Sequence, residues 1–369
     1  MSASPLAPGS TIGILGGGQL GRMLAMAAAR LGYRTVIFDP DPNAPAAQVA
    51  NAHFGNAWDD GDALAAFAEA CDVVTYEFEN VPVETVERLE RSEPVRPGAK
   101  ALRTAQDRLL EKALARNLGA ATAEFAAVDS LSDLKSAMKA TGLPAVLKTT
   151  RLGYDGKGQA RIAVETDAEE AFAAMKGAPA ILESFVHFDR EVSIIAARGL
   201  DGTVRTFDLV ENVHRHHILH TSTVPARIER EAAESAATIA GAFLEALDYV
   251  GVLAVEFFAV REEGSHKLLV NEIAPRVHNS GHWTEAACTV SQFEAHIRAI
   301  AGLALPDFHR HSDCVMENLI GDEINELPRL AGESGVLVHH YGKAEARPGR
   351  KMGHFTRLMA PAGVDSTGL

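Results

Sequence analysis

Val252-Leu253-Ala254-Val255-Glu256-Phe257-Phe258 and Leu268-Leu269-Val270-Asn271-Glu272-Ile273 are apolar runs, each interrupted by a carboxylate. The polar turn Arg261-Glu262-Glu263-Gly264 lies between them and predicts a hairpin of strands over 251–259 and 267–273. A lone carboxylate among buried strands is costly unless a cation or hydrogen bonds stabilise it. Two such interruptions on paired strands point to a shared cation. Magnesium fits best, as a hard ion held by one or two carboxylates with nucleotide phosphates completing its shell. In an ideal strand Asn271 and Glu272 face opposite ways. Both reach one ion only if the strand is ending there.

Upstream, Lys148 ends the apolar run Ala145-Val146-Leu147, and Gly153-Tyr154-Asp155-Gly156-Lys157-Gly158-Gln159 follows it. Three glycines and a lysine between two strands suggest a flap whose N–H groups and ammonium cover phosphates. No Gly-Lys-Ser/Thr leads into a helix, so it is not a Walker loop. Glu183 closes the apolar run Ala180-Ile181-Leu182, and Glu191 opens the next strand. A hinge of Glu183, Ser184, Phe185 and Val186 would offer backbone groups to adenine, leaving Glu191 for ribose hydroxyls. His214, His216, His217 and His220 lack a well-spaced cysteine or carboxylate ligand, so a loop lining the nucleotide site is preferred to a metal centre.

The first hundred residues alternate strand and helix signals, as a doubly wound unit does. Strands are predicted at Thr11 to Leu15, Tyr33 to Phe38 and Asp72 to Tyr76, with helices from Gln19 to Leu31 and Asp60 to Ala70. Gly16-Gly17-Gly18-Gln19-Leu20-Gly21 fits the glycine pattern of a dinucleotide loop, and Asp39 ends the next strand where a ribose-binding acid stands. Taken alone, the segment suits a dinucleotide, another anionic ligand, or tight packing only. Helices are predicted over 105–118, stopped by Gly119, and over 131–141, 167–176 and 227–247. Ser291-Gln292-Phe293-Glu294 is a capping box opening a helix to Ala301. These signals divide the chain into a Rossmann-like unit (1–104), a central unit (105–302) with a lid at about 120–187, and a small strand-rich unit (303–369).

Of the 369 residues 47% are hydrophobic and the net charge is −14, which argues against nucleic acid or an anionic membrane as partner. No apolar run approaches a membrane span and no secretory signal is readable. Cys71, Cys288 and Cys314 stand singly, as in a reducing cytoplasm.

Lys148, the flap, Glu183, Glu191, Glu256 and Asn271-Glu272 follow the order typical of ATP-grasp ligases. Gly16–Met23, Tyr76-Glu77-Phe78-Glu79-Asn80-Val81-Pro82, the flap and Asn271–His282 together resemble the N5-carboxyaminoimidazole ribonucleotide synthetases, a purine-biosynthetic family within them. The resemblance covers nearly the whole chain. It implies an α/β and α+β architecture: an N-terminal Rossmann-like pre-ATP-grasp domain, a central ATP-grasp domain with lid, and a small strand-rich C-terminal domain. It also implies ATP and Mg2+ as cofactors, bicarbonate and 5-aminoimidazole ribonucleotide as substrates, a carboxyphosphate intermediate, and a cytoplasmic homodimer. Arg108, Lys148, Gly153, Tyr154, Asp155, Gly156, Lys157, Gly158, Gln159, Glu183, Ser184, Phe185, Val186, Glu191, His214, Asn271 and Glu272 would then contact ATP. Glu256 and Glu272 would hold magnesium. Gln19, Leu20, Glu77 and Asn279 would face the ribonucleotide, with Lys343, Arg350 and Lys351 on its 5′-phosphate. Asp155, Lys157 and Lys351 would be catalytic. The rivals are a formate-dependent glycinamide ribonucleotide formylase of the same superfamily and an NAD-dependent dehydrogenase built on the first loop.

Overall fold

The computed structural model describes residues 4–153 and 158–359. Its N-terminal layer is a parallel sheet of β1 (Thr11–Leu15), β2 (Arg34–Phe38), β3 (Ala52–Phe54) and β4 (Val73–Tyr76), in the order β3-β2-β1-β4. Ile12, Ile14 and Leu15 on β1 are fully buried, as expected of a strand covered on both faces. Helix Gln19–Arg30 lays Leu20, Met23, Leu24, Ala27 and Ala28 into the core at helical spacing. It is followed by helix Gly61–Glu69, whose N-cap Asp60 accepts from the Ala63 N–H.

The helix predicted over 105–118 begins later, at Arg108, and a separate helix, Ala99–Gln106, precedes it. Asp107 divides them: its backbone is extended and its carboxylate accepts from the N–H groups of Leu109 and Leu110, capping Arg108–Asn117. A capping aspartate offers the backbone an alternative to continued helix, which periodicity alone does not register. Gly119, at φ +80°, ends the helix as expected.

The lid is an antiparallel sheet of β5 (Phe125–Val128), β6 (Ala145–Thr149), β7 (Gln159–Ile162) and β8 (Ala180–Ser184), in the order β5-β8-β6-β7. Helices Leu131–Thr141 and Ala168–Ala174 complete a small core around Leu134, Leu147 and Leu182. The third sheet contains β9 (Arg190–Arg198), β10 (Val204–Thr206), β11 (Val210–Arg215), β12 (Ile218–Val224), β13 (Gly251–Glu262) and β14 (Ser265–Ala274). It continues through β15 (Asp313–Ile320), β16 (Val336–His340) and β17 (Lys351–Met359), in the order β14-β13-β9-β11-β12-β15-β17-β16, with β10 beside β9. The C-terminal strands therefore extend the central sheet. Helix Arg230–Ala246 covers one face of it through Ala236, Ala240, Phe243 and Leu244. Helix Gln292–Ala301 covers the other and packs on helix Gln19–Arg30. The Ser291 hydroxyl caps it by accepting from the Glu294 N–H, but the expected capping box is not closed, because the Glu294 carboxylate binds Arg298. Among the described residues no helix is long and apolar enough to cross a membrane.

Candidate active site

A cleft of about 650 Å³ opens between the lid and the central sheet. Its floor is the β13–β14 hairpin predicted from the two interrupted apolar runs. Glu256 and Glu272 are register partners, so their side chains share a face. The next pairing is Phe257 with Val270, which leaves Asn271 without an opposite residue. This is a β-bulge. The expectation that the strand must end for Asn271 and Glu272 to reach one ion is corrected here: the strand runs on to Ala274, and the bulge turns both into the cleft. Two carboxylates and an amide oxygen form a hard donor set of the kind magnesium takes.

The cations stand opposite. Arg108, on the first turn of its helix, approaches Glu272 at 3.4 Å and donates to the Gly153 carbonyl. Lys148, on β6, lines the cleft and pairs with Glu183 at 3.0 Å. Burial lowers the Lys148 pKa, with the Glu183 charge opposing it. Glu183 is itself buried, which would raise its pKa, but Lys148 and Lys112 bring it down to about 2. Glu256 shows the same contest. Burial penalises its charge, yet the His278 imidazole at 2.9 Å and its hydrogen bond hold it at about 2.

At the lid side of the cleft, Phe185 lies under the Arg161 guanidinium and beside His187. His214 Nδ1 meets Glu191 Oε2 at 2.9 Å. Burial opposes a charged His214, but the Glu191 hydrogen bond and charge raise its pKa overall.

Of the residues named from sequence, Arg108, Lys148, Gly153, Gln159, Phe185, Glu191, His214, Glu256, Asn271, Glu272, Asn279 and Lys351 line this one cleft. Tyr154, Asp155, Gly156 and Lys157 lie outside the described residues. Gly158 is a left-handed glycine beside Thr149. Glu183 stands behind Lys148 rather than on the cleft wall. The Ser184 hydroxyl accepts from the Glu124 N–H, and Val186 is half-buried next to Phe185 in sequence. Lys343 donates to the Lys351 carbonyl at 2.6 Å, whereas Arg350 donates to the Glu345 carbonyl.

The first glycine loop is filled by the protein's own acids. Gly17 N–H donates to Asp39 at 2.6 Å, and Gly18 and Gly21 donate to Glu77 at 3.0 and 3.1 Å. Burial raises the Glu77 pKa, and those two N–H bonds oppose the rise. The amides that would cradle a dinucleotide pyrophosphate are thus already bonded, and Asp39 binds the loop instead of a ribose. Gln19 opens the following helix, and Leu20 points into the core.

The histidine segment is the β11–β12 hairpin, with His216 and His217 in its turn at positive φ. His214, His216 and His217 line the cleft, while His220 faces Glu317 at 3.8 Å. Elsewhere, Glu285, His339 and His354 bring ligand atoms within 4.8 Å of one another. There His339 Nδ1 lies 3.2 Å from Glu285, and His354 Nδ1 meets the Tyr341 hydroxyl at 2.9 Å.

Sequence reading assigned no role to Glu79, Arg276, His278, Glu111 or Lys112. Arg276 pairs with Glu79, opposing the effect of burial and holding the Glu79 pKa at about 2. Arg276 and His278 follow the Asn271-Glu272 bulge by a few residues, so their place in sequence was a usable signal. Glu111 and Lys112 gave none, being charges on an ordinary helical pattern.

Comparison with known proteins gives three family models in chain order. The ribonucleotide synthetase preATP-grasp domain matches residues 10–106, the ATP-grasp domain 113–293, and the phosphoribosylaminoimidazole carboxylase C-terminal domain 314–362. The chain is 58% identical to an N5-carboxyaminoimidazole ribonucleotide synthase of Brucella melitensis, over 97% of this chain and 99% of that one. It is 42% identical to the Bacillus subtilis enzyme of the same name, over 98% and 94%. A crystal structure of an ADP complex of N5-carboxyaminoimidazole ribonucleotide synthetase superposes with a TM-score of 0.92 at 42% identity, over 97% and 94%. The Aspergillus clavatus N5-carboxyaminoimidazole synthase, in complex with ADP and 5-aminoimidazole ribonucleotide, superposes at 0.87 with 32% identity, over 95% and 94%.

Proposed function

The chain belongs to the N5-carboxyaminoimidazole ribonucleotide synthases, ATP-grasp ligases, and from that premise we propose how its cleft works. The reaction is the ATP-dependent carboxylation of 5-aminoimidazole ribonucleotide by bicarbonate, through carboxyphosphate. The observation that carries the reading is the acidic bulge: Glu256, Asn271 and Glu272 on one face, opposite Arg108 and Lys148.

Bicarbonate is a poor electrophile because hydroxide leaves badly. Phosphoryl transfer gives it a phosphate leaving group, and the substrate amine then attacks. The protein supplies positioning and charge. Arg108 and Lys148 face the phosphates and offset charge on the transferred oxygens. Glu256 and Glu272, with Asn271, would hold magnesium, which when bound would supply Lewis-acid charge for phosphoryl transfer. The Glu191–His214 pair lies where ribose hydroxyls need partners, and Phe185 offers an apolar face to adenine. Asn279 and Lys351 enter the same cleft from the ribonucleotide side, with Lys343 fixed against the Lys351 backbone. Glu77 acts on the ribonucleotide through the glycine loop that it holds in shape, with Gln19 and Leu20 opening the helix beyond. Asp155 and Lys157, with Lys351, handle the amine and the short-lived acyl phosphate. A cytoplasmic homodimer is part of the same reading; sedimentation equilibrium at twice the protomer mass supports it, and protomer mass removes it.

The test is release of ADP and phosphate by the purified protein with ATP and magnesium, adding ribonucleotide and bicarbonate separately and together. Release that needs the ribonucleotide and scales with bicarbonate is expected. Release with formate and glycinamide ribonucleotide instead would move the substrate while keeping the fold.

A further inference from the structure

Helix Arg108–Asn117 sends three side chains to one short stretch of β14. Arg108, Glu111 and Lys112 stand at i, i+3 and i+4, so they share a helix face. Arg108 reaches the Glu272 carboxylate. Glu111 accepts from the Ile273 N–H, and Lys112 donates to the Asn271 carbonyl at 2.8 Å. β14 is the end strand of its sheet, so the backbone groups on its outer edge lack ladder partners. Here the groups flanking Glu272 are taken by two consecutive buried side chains of one helix. Lys112 also donates to the Val270 carbonyl at 3.4 Å, and its ammonium lies 3.3 Å from Glu183 Oε2, the same oxygen that binds Lys148. One buried carboxylate therefore joins two lysines, one tied to the acidic bulge and the other exposed to the cleft.

We propose that Lys112 is a positioning residue that sets the Asn271–Glu272 bulge against Lys148, so that the cation-binding and phosphate-binding sides of the nucleotide site are fixed by one shared carboxylate. The proposal rests on the reading of Glu272 as a magnesium ligand. Lys112 does not line the cleft. Its effect passes through the Asn271 backbone and the Glu183 side chain. Groups that orient metal ligands in this way change metal affinity or activity by about 10–100-fold when removed.

Lys112→Met tests it, because methionine keeps the length and leaves Glu183 paired with Lys148. Initial rates are measured against magnesium concentration at saturating ATP, ribonucleotide and bicarbonate. Half-saturating magnesium should rise about 10–100-fold, while the KM for ribonucleotide stays within about threefold and excess magnesium restores most of kcat. Lys112→Arg should recover most of the shift. A readout without any ligand accompanies this: hydrogen exchange across residues 268–275 should quicken in Lys112→Met and stay unchanged in the lid strands. If Lys112→Met does not accumulate as folded protein, Lys112→Gln, which keeps an N–H donor without the charge, is read in both assays. A magnesium curve and exchange pattern that superpose on wild type would overturn the proposal. Glu272→Gln in the same titration separates the two levels. If it retains wild-type magnesium response, the ligand reading fails; if it is inactive while Lys112→Met is normal, only the positioning role fails.

Discussion

The glycine loop at Gly16–Gly21, which follows β1, and the acidic bulge at Asn271–Glu272, which lies within β14, are both motif-bearing irregularities of backbone, yet they end in opposite states. In the loop, donors that suit an anion are consumed by Asp39 and Glu77. In the bulge, the backbone is held by Glu111 and Lys112, and the side chains of Asn271 and Glu272 remain on the cleft wall. A glycine pattern reports what conformation the chain can adopt. Whether that conformation binds a ligand depends on which groups already have internal partners.

The largest effect should come from the bulge. Glu272→Gln keeps shape and removes a charge, and kcat should fall by about 10²–10³-fold, the scale of losing one electrostatic group at a reacting phosphate. Ribonucleotide affinity, read by equilibrium binding, should change far less. Equal losses in both would erase the distinction between the two regions. The loop should respond in stability instead. A Cβ on Gly17 would lie 2.4 Å from the Ala44 Cβ, a contact that cannot be relieved by a flexible side chain. Gly17→Ala should cost about 1–3 kcal/mol in denaturant unfolding, as overpacking does, while the KM for ATP stays within about twofold. A large rise in that KM would return the loop to the nucleotide.

The smallest effect lies at the far end of the bulge hairpin. His266 is buried between Glu229 at 2.6 Å and Asp189 at 2.9 Å. The Glu229 hydrogen bond raises its pKa above the ordinary 6.5, burial opposes this, and Asp189 adds to the rise. A raised folded pKa stabilises fully below the unfolded value and loses that contribution as pH rises through the folded value. Melting temperature should therefore decline by about 1–2 °C as pH rises from the unfolded value through the folded one, and His266→Gln should flatten the decline. An unchanged slope would show that the hairpin tip is indifferent to this charge.

Much of this was legible in sequence. Apolar runs interrupted by Glu256 and Glu272 fixed the hairpin, and Lys148, Glu191 and His214 reached the same cleft from three other strands. What sequence withheld were features of register and burial. The alternation of a strand does not reveal that Asn271 is unpaired, because a bulge is defined by the partner strand. Glu183 looked like a hinge residue at the cleft; its place behind Lys148 follows from side-chain packing. Nothing in the pattern of their helix marked Lys112 and Glu111, which are buried where β14 approaches. Asp107 divided one expected helix into two because capping competes locally with periodicity.

The continuous central sheet has a consequence for inheritance. Family models meet the chain as separate segments, the last beginning at residue 314. The hydrogen-bond ladder respects no such border, since Thr221 to Val224 on β12 pair with Glu317 to Cys314 on β15. A gene cut between those segments would leave β12 as a naked edge, ready to join a foreign strand. Recombination that traded the C-terminal segment alone would have to match a register as well as a reading frame. The piece of ancestry and the piece that folds are, in this molecule, different lengths of chain.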